Sequence, residues 1–412
     1  MLKCASIHTY EIDSPEIALR ELEGRLYEQL DLLVHSVGVI LCHPEFILSG
    51  VVEHIGRHFP FDIVGATSAS QAVNGQAGEL ILTMFVMTSD DIRFVTGVTG
   101  PVLEDDAPPE APPTAEGAPA TSESQILGVQ AAVASAYASA AGGISEQPKL
   151  ALIFPPMTPL SGNVFINAWE KLIPGTPLFG TIATDDSTVF EGAETVYNEK
   201  TYKMGMPFVL CYGALNPRFL YGTFPSEDRR AILGRGEVTR SVGSIVYEID
   251  GGKASDYFSR YGLSESIDGF IFSPIIVDQK NREDYDGMPV MRGLAGISKD
   301  GAVNFRGDID EGSFLTIMHV ESRDVLPITG KIVQEIKTMP DVNGVVLFPC
   351  VVRRMVIMPE DPLAELRAIG ENVDPGIPFM AGYAGGEICP TSVNNGVAAN
   401  RFHNYSLIIL VV

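Results

Sequence analysis

The sequence predicts an α/β fold in which repeated strand-helix-strand units form two sheet-based domains, with mixed sheets and flanking helices. Three observations carry this expectation: short apolar runs end in turns of Gly and small residues, helix-length stretches lie between them, and the order returns several times along the 412 residues. A chain of this length with 45% hydrophobic residues can bury two or three cores.

The elements follow in order. Ser14 and Pro15 suit an N-cap and a first helical turn, and Leu19, Leu22, Leu26, Leu30 and Leu33 then recur at steps of three and four, which predicts an amphipathic helix. GVILCHPEF (38–46), DIVGATSAS (62–70) and ELILTMFVM (79–87) are the strands of a first copy. The segment 104–124 holds six acidic residues, no basic ones and almost no large apolar side chain, so it is expected to be a disordered acidic insertion. QILGVQAAVASAYASAA then offers an Ala-rich helix suited to close packing on a sheet.

A second copy runs LALIFPPMT, VFINAWEKL, PLFGTIATDD and MPFVLCYGAL, and another runs VVLFPCVVRR, DPLAELRAIG, PFMAGYAGGE and YSLIILVV. FIFSPIIVD, MRGLAGISKDG and SFLTIMHV, between Phe270 and Val320, read as a degenerate fourth copy. Two copies on either side of GTFPSEDRRAILGRGEVTRSVGS predict domains of 1–222 and 223–412, with SIVYEIDGGKASDYF opening the second as strand, turn and helix.

The formal charge of −24 argues against nucleic acid and anionic membrane surfaces as partners. No apolar run reaches the roughly 18–20 residues of a bilayer span, and the N-terminus lacks a secretory pattern, so a soluble, cytoplasmic protein is expected. Five widely spaced cysteines have neither zinc-ligand nor redox spacing and read as buried thiols.

Among residues suited to chemistry, Glu387 is the sharpest, a lone carboxylate in the Gly-rich turn GYAGGE with Tyr383 and Gly386. Arg353 and Arg354 are expected at the end of the preceding strand, so Arg353 with Glu387 offers both charges of a zwitterion such as an amino acid, or the two pair with each other. Cys350, His403 and Glu387 form a candidate set for a thiol hydrolase or transferase, with packing and hydrogen bonding as the ordinary alternatives, and no catalytic residue is assigned. Asn404 lies beside His403, while Thr67, Ser68, Thr184 and Asp185 follow the N-terminal glycines; these suit either a polar pocket or turn and capping roles. His54 and His58 share a helix face but lack the glutamate of a zincin motif, and GEVTRSVGS lacks the end of a phosphate loop, so neither metal nor nucleotide is assigned.

At this point IVGATSAS and PLFGTIATDD, followed by IVYEIDGGKASDYF, FPCVVRR, GYAGGEI and RFHNYSLIIL, resemble the FIST proteins in their family order, from about residue 30 to the end. The resemblance implies a sensory role with a small ligand, amino acids being proposed. It also brings a haem-based nitric oxide sensor as an alternative, with His403 as the axial ligand, although no C-x-x-C-H signature is present. The acidic insertion departs from the family, and so does the lack of an appended kinase, cyclase or chemoreceptor segment. The output partner is therefore expected to be a separate protein such as a histidine kinase, a cyclase or a chemoreceptor.

Overall fold

The computed structural model describes all residues except 104–120, 188, 224–230, 264–270, 281–288 and 359. Most of the predicted acidic insertion lies outside the described residues. Its last residues do not belong to it, because Ser122 caps helix α4 from Glu123 onward in a reciprocal capping box with Gln125.

The first unit consists of β1 (Leu2–Thr9), α1 (Pro15–Gln29), β2 (His35–Cys42), α2 (Glu45–Leu48), α3 (Val51–His58), β3 (Asp62–Thr67), the hairpin β4 (Gln71–Val73) and β5 (Gln76–Gly78), and β6 (Leu82–Ser89). The order returns as β7 (Ile92–Val98), α4 (Glu123–Ala141), β8 (Leu150–Ile153), α5 (Gly162–Glu170), β9 (Leu178–Thr181), the hairpin β10 (Thr195–Tyr197) and β11 (Lys200–Tyr202), and β12 (Pro207–Gly213). A third unit opens with β13 (Arg218–Thr223). It is interrupted by β14 (Ala231–Val242), β15 (Ile245–Ile249), β16 (Gly252–Lys253), α6 (Ala254–Ser259), β17 (Ile275–Asp278), β18 (Val290–Arg292), β19 (Leu294–Ile297), β20 (Val303–Phe305) and β21 (Phe314–His319). The unit resumes as α7 (Val325–Ile336), β22 (Val345–Pro349), α8 (Val351–Ile357), α9 (Ala364–Asn372), β23 (Phe379–Gly382), the hairpin β24 (Glu387–Asn394) and β25 (Val397–His403), and β26 (Ser406–Val411).

Helices α1 and α4 form where the sequence pattern places them. Ser14 accepts the Ile17 N–H at the start of α1, whose Leu22 and Leu26 are buried. In α4 the small residues bring Val129, Val133 and Ala136 into one apolar cluster with Trp169 of α5 and Phe208 of β12.

Each unit contributes a parallel central pair, β2–β3, β8–β9 or β22–β23, with antiparallel strands outside it. The hairpins leave their own sheets. β10–β11 extends the first unit beside β3, β24–β25 extends the second beside β9, and β4–β5 extends the third beside β23. Three six-stranded sheets result, each completed by a neighbour in a closed cycle. The joint is the same in all three. An asparagine of the incoming hairpin accepts the N–H that opens a central strand: Asn198 from Ile63 at 2.8 Å, Asn400 from Leu178 at 2.8 Å and Asn74 from Phe379 at 3.0 Å. Inner faces of the three sheets meet in one core around Leu41, Phe154 and Phe348, with Phe348 stacked on Phe179 at 5.2 Å.

The expected fourth copy is something else. Its strands β17, β18, β19 and β21 lie in an inserted, wholly antiparallel sheet ordered β18-β17-β21-β14-β15-β20-β19. Only Gly293 separates β18 from β19, and β14 turns into β15 over two residues, links too short for the crossover that a parallel pair requires. The stretch read as a junction is occupied by β14, the longest strand among the described residues. Ile276, Met291 and Met318 of this sheet pack onto the third unit beside Val351, Tyr383 and Tyr405.

Candidate functional site

The three strand-to-turn segments singled out in the sequence converge. Ser68 Oγ donates to Tyr383 O at 2.9 Å, and the Tyr383 N–H to Ser70 O at 3.2 Å. Gly385 N–H donates to Ile182 O and Ile182 N–H to Gly386 O, each at 3.0 Å, while Thr184 N–H reaches Thr67 O at 3.2 Å. The glycines make this approach feasible: a Cβ on Gly385 would stand 2.9 Å from the Ala183 carbonyl oxygen, and one on Gly386 2.6 Å from the Phe402 ring.

Within this knot Thr67, Ser68, Thr184 and Asp185 are buried and serve the backbone. Thr67 Oγ1 accepts the Glu194 N–H at 3.0 Å, and Asp185 accepts N–H groups of Ser187 and Gly192 at 2.8 and 2.6 Å.

Glu387 sits at the start of β24, inside this convergence and paired with Thr181 of β9 and His403 of β25, with no exposed surface. Its Oε2 accepts from the Ser406 hydroxyl at 2.6 Å and the Ser406 N–H at 3.2 Å, whereas Oε1 has no nitrogen or oxygen donor among the described residues, the carboxyl's further neighbour being the weakly donating Cys350 thiol. Burial pushes its pKa up to about 8, against smaller opposing effects of Ser406, the neighbouring Cys350 thiol and the more remote Arg353.

Arg353 differs from expectation in both place and partner. The strand ends at Pro349, Cys350 takes an extended N-cap conformation, and Arg353 and Arg354 fall in α8. From there Arg353 donates through Nε and Nη2 to Glu365 Oε1 at 2.9 and 2.6 Å, and also to Thr329 Oγ1 and Tyr405 O. Both side chains of the Arg353–Glu365 pair are fully buried, so the guanidinium is already neutralised and does not pair with Glu387. Arg354 ties the third unit to the first, donating to Ser70 Oγ at 3.2 Å and Glu79 at 2.6 Å. Tyr383 lies beside Glu365 with its hydroxyl not aligned for a hydrogen bond, and burial drives the phenol pKa well up.

Glu387 and His403 pair across β24 and β25, with Cys350 beside Glu387 at the N-cap of α8, yet the hydrogen bonding is not that of a catalytic set. The His403 Nε2 faces Cys389 O at 3.0 Å; a carbonyl only accepts, so this nitrogen carries the proton and donates. Its ring lies 5.3 Å from that of Tyr221, and burial pushes its pKa down to about 4, so it is neutral at pH 7. The Cys350 thiol is held protonated, its pKa driven well above the usual range by burial and then by the Glu387 charge. Asn404 is a structural tie, accepting the Gly293 N–H at 3.2 Å from the inserted sheet. Arg292 of the same sheet, fully buried, donates to Phe402 O at 3.0 Å.

Sequence reasoning missed Ser406, Glu365, Thr329 and Arg292. Each is a single polar residue in an apolar or unremarkable run, without a spacing that announces its partner. Among the described residues no group of three His, Cys, Asp or Glu side chains is placed to hold a metal ion. No helix among them is long and apolar enough to cross a membrane.

Comparison with known proteins adds the family. The FIST N domain matches residues 36–252 and the FIST C domain residues 256–390, the two segments meeting inside the inserted sheet. No curated protein matched the chain. FIST domains are associated with sensory signal transduction and are not known as catalytic families. With the N-terminal match alone spanning more than half of the residues and the C-terminal match following it in order, the chain belongs to the FIST family.

Proposed function

We propose that this chain is a small-ligand sensor of the cytoplasm that binds a small polar amine, an amino acid among the candidates, against Glu387. It passes occupancy to a separate signalling protein such as a histidine kinase, a cyclase or a chemoreceptor. One observation carries the reading: a fully buried carboxyl that, among the described residues, has one oxygen without a nitrogen or oxygen donor and no basic side chain paired to it, only the Cys350 thiol lying beside it. A ligand ammonium supplies both the donor and the charge that this oxygen lacks. The carboxylate of an amino acid gains nothing from Arg353, whose guanidinium is committed to Glu365. The reading therefore narrows from zwitterion recognition to recognition of the amino group.

Because Glu387 is enclosed, the ligand reaches it when the inserted sheet lifts from the third unit, loosening the Arg292 and Asn404 ties. That displacement is the signal a partner reads. A thermal-shift panel of amines and amino acids tests the reading, since a ligand at a hundred times its Kd stabilises by about 2.7 kcal/mol. Binding of a cation to a mostly protonated Glu387 also releases a proton, seen by calorimetry in buffers of different ionisation enthalpy. A panel without a single stabilising ligand on folded protein refutes it.

Haem fits poorly. The His403 Nε2 already donates to Cys389 O and the ring is packed beside Tyr221, so ligation through that nitrogen requires the bond to break. No step is assigned to haem, and a Soret band in haem-supplemented protein would reopen it. A thiol-dependent activity is disfavoured by the protonated Cys350 and the absence of a hydrogen bond between it and His403 among the described residues.

A further inference from the structure

We infer a second ligand site, selective for a small anion bearing carboxylate or phosphate groups, in the cleft where the edge strand β1 meets the third unit. The cleft holds about 680 Å³, the scale of a metabolite. Its polar lining comes from Lys3, Ser6, His8, Arg25, Gln29 and Asn74, and no Asp or Glu lines it, although acids outnumber Lys plus Arg by 52 to 28 in the chain.

Arg25 is the centre of the site. It reaches from α1 around the open edge of β1, and its only side-chain partner among the described residues is the His8 ring, with Nη1 2.8 Å from Nε2. Among those residues no carboxylate lies within 4.0 Å of its guanidinium, which leaves most of its fork of donors open to the cleft. Lys3 is exposed and likewise has no partner there. The outer edge of β1 adds backbone donors. Gln29 already takes the Ser6 N–H and carbonyl at 3.2 and 3.0 Å, and the alternation of the antiparallel strand puts the Cys4 N–H on the same side. Glu21 acts on the His8 ring from outside the cleft lining, and the lining itself offers a guanidinium, an ammonium and strand N–H groups, the donors that oxyanion recognition uses.

The cyclic fold supplies an internal control. The equivalent cleft between the first and second units, about 690 Å³, is lined by the loops before β2 and β3 and by the tip asparagine Asn198, just as this one is lined by the loops before β22 and β23 and by Asn74. It contains Asp62 and Glu199 and neither Lys nor Arg. The scaffold therefore makes the cleft, while the charge belongs to this one alone of the two.

The test uses the full chain and three probes, inorganic phosphate, malonate and citrate, titrated calorimetrically at constant ionic strength set with sodium chloride. The expected result is saturable 1:1 binding of at least one probe, weakened about tenfold or more in Arg25→Gln and partly restored in Arg25→Lys. Lys3→Gln, at an exposed side chain without a protein partner, weakens binding without touching the fold. A carboxylate-only or phosphate-only response names the class of ligand. No saturable binding of any probe, or unchanged affinity in both Arg25→Gln and Lys3→Gln, overturns the proposal.

Discussion

Glu387→Gln is the perturbation that interrogates the buried carboxyl most directly. In the unfolded chain the group titrates near 4.5, and in the folded protein near 8. Between those values the native state holds a proton that the unfolded state has released, so stability is full below about pH 4.5 and falls as pH rises toward 8. At ~1.4 kcal/mol per pH step the loss approaches ~5 kcal/mol across the window and stands near ~3 kcal/mol at pH 7. Gln keeps the shape and neutrality of the protonated acid and retains an oxygen for Ser406. The variant is therefore expected to match the native protein near pH 5 and to exceed it in stability at pH 8, read as denaturation midpoints of both proteins across that range. A stability difference that is constant from pH 5 to pH 8, or that favours the native protein more at pH 8, refutes the argument. The same variant is expected to lose amine binding, so a gain in stability with a loss of response would place Glu387 among residues kept for function at the expense of the fold.

Glu365→Ala strands Arg353 as a buried, uncompensated charge and is expected to cost about 3–5 kcal/mol, whereas Arg353→Met combined with Glu365→Leu costs much less; equal losses in the two unfolding experiments would contradict this. Asn400→Ala leaves the Leu178 N–H and the Thr176 carbonyl unpaired inside the protein, for a loss of about 2–4 kcal/mol, and a loss under ~0.5 kcal/mol in denaturant unfolding would show that the joint is not structural. Burial raises the thiol pKa of Cys4 as well as that of Cys350, so both resist iodoacetamide in the folded protein, but Cys4 keeps some exposed surface and is expected to be labelled ahead of Cys350. Mass spectrometry finding Cys350 modified ahead of Cys4 would reverse that order.

The repeated elements were legible because they carry local signals. Leucines at steps of three and four made α1 visible, and the strand-then-glycine turns marked three segments that the fold brings into one knot. The exchange of hairpins was not legible. β4, β5, β10 and β11 are three residues each, and nothing in QAV or TVY says which sheet will accept it. VVLFPCVVRR misled in a definable way: an apolar run of that length has no period that separates strand from helix, and the change from one to the other at Cys350 turned Arg353 away from Glu387. The partner it found, Glu365, lies twelve residues on in a different helix, where only the tertiary fold makes them neighbours.

The cyclic arrangement also explains why one carboxylate stands apart. Ile63, Leu178 and Phe379 are equivalent by their asparagine joints, and the residue three beyond each, Ala66, Thr181 or Gly382, pairs with the polar residue that opens the incoming hairpin, Thr195, Glu387 or Gln71, so every unit places a polar side chain at the same point of the knot. Gln71 is buried but neutral, its amide donating to Ser68 O at 2.8 Å. Thr195 is buried and not ionisable, its hydroxyl donating to Gly205 O at 2.8 Å. Of these three positions only that of the third unit combines an ionisable group with complete burial, and that combination moves a pKa into the physiological range. At one of three like buried positions the sequence thus replaces a neutral polar side chain with a group whose charge responds to what lies beside it, which is what the proposed sensor requires of its recognition residue.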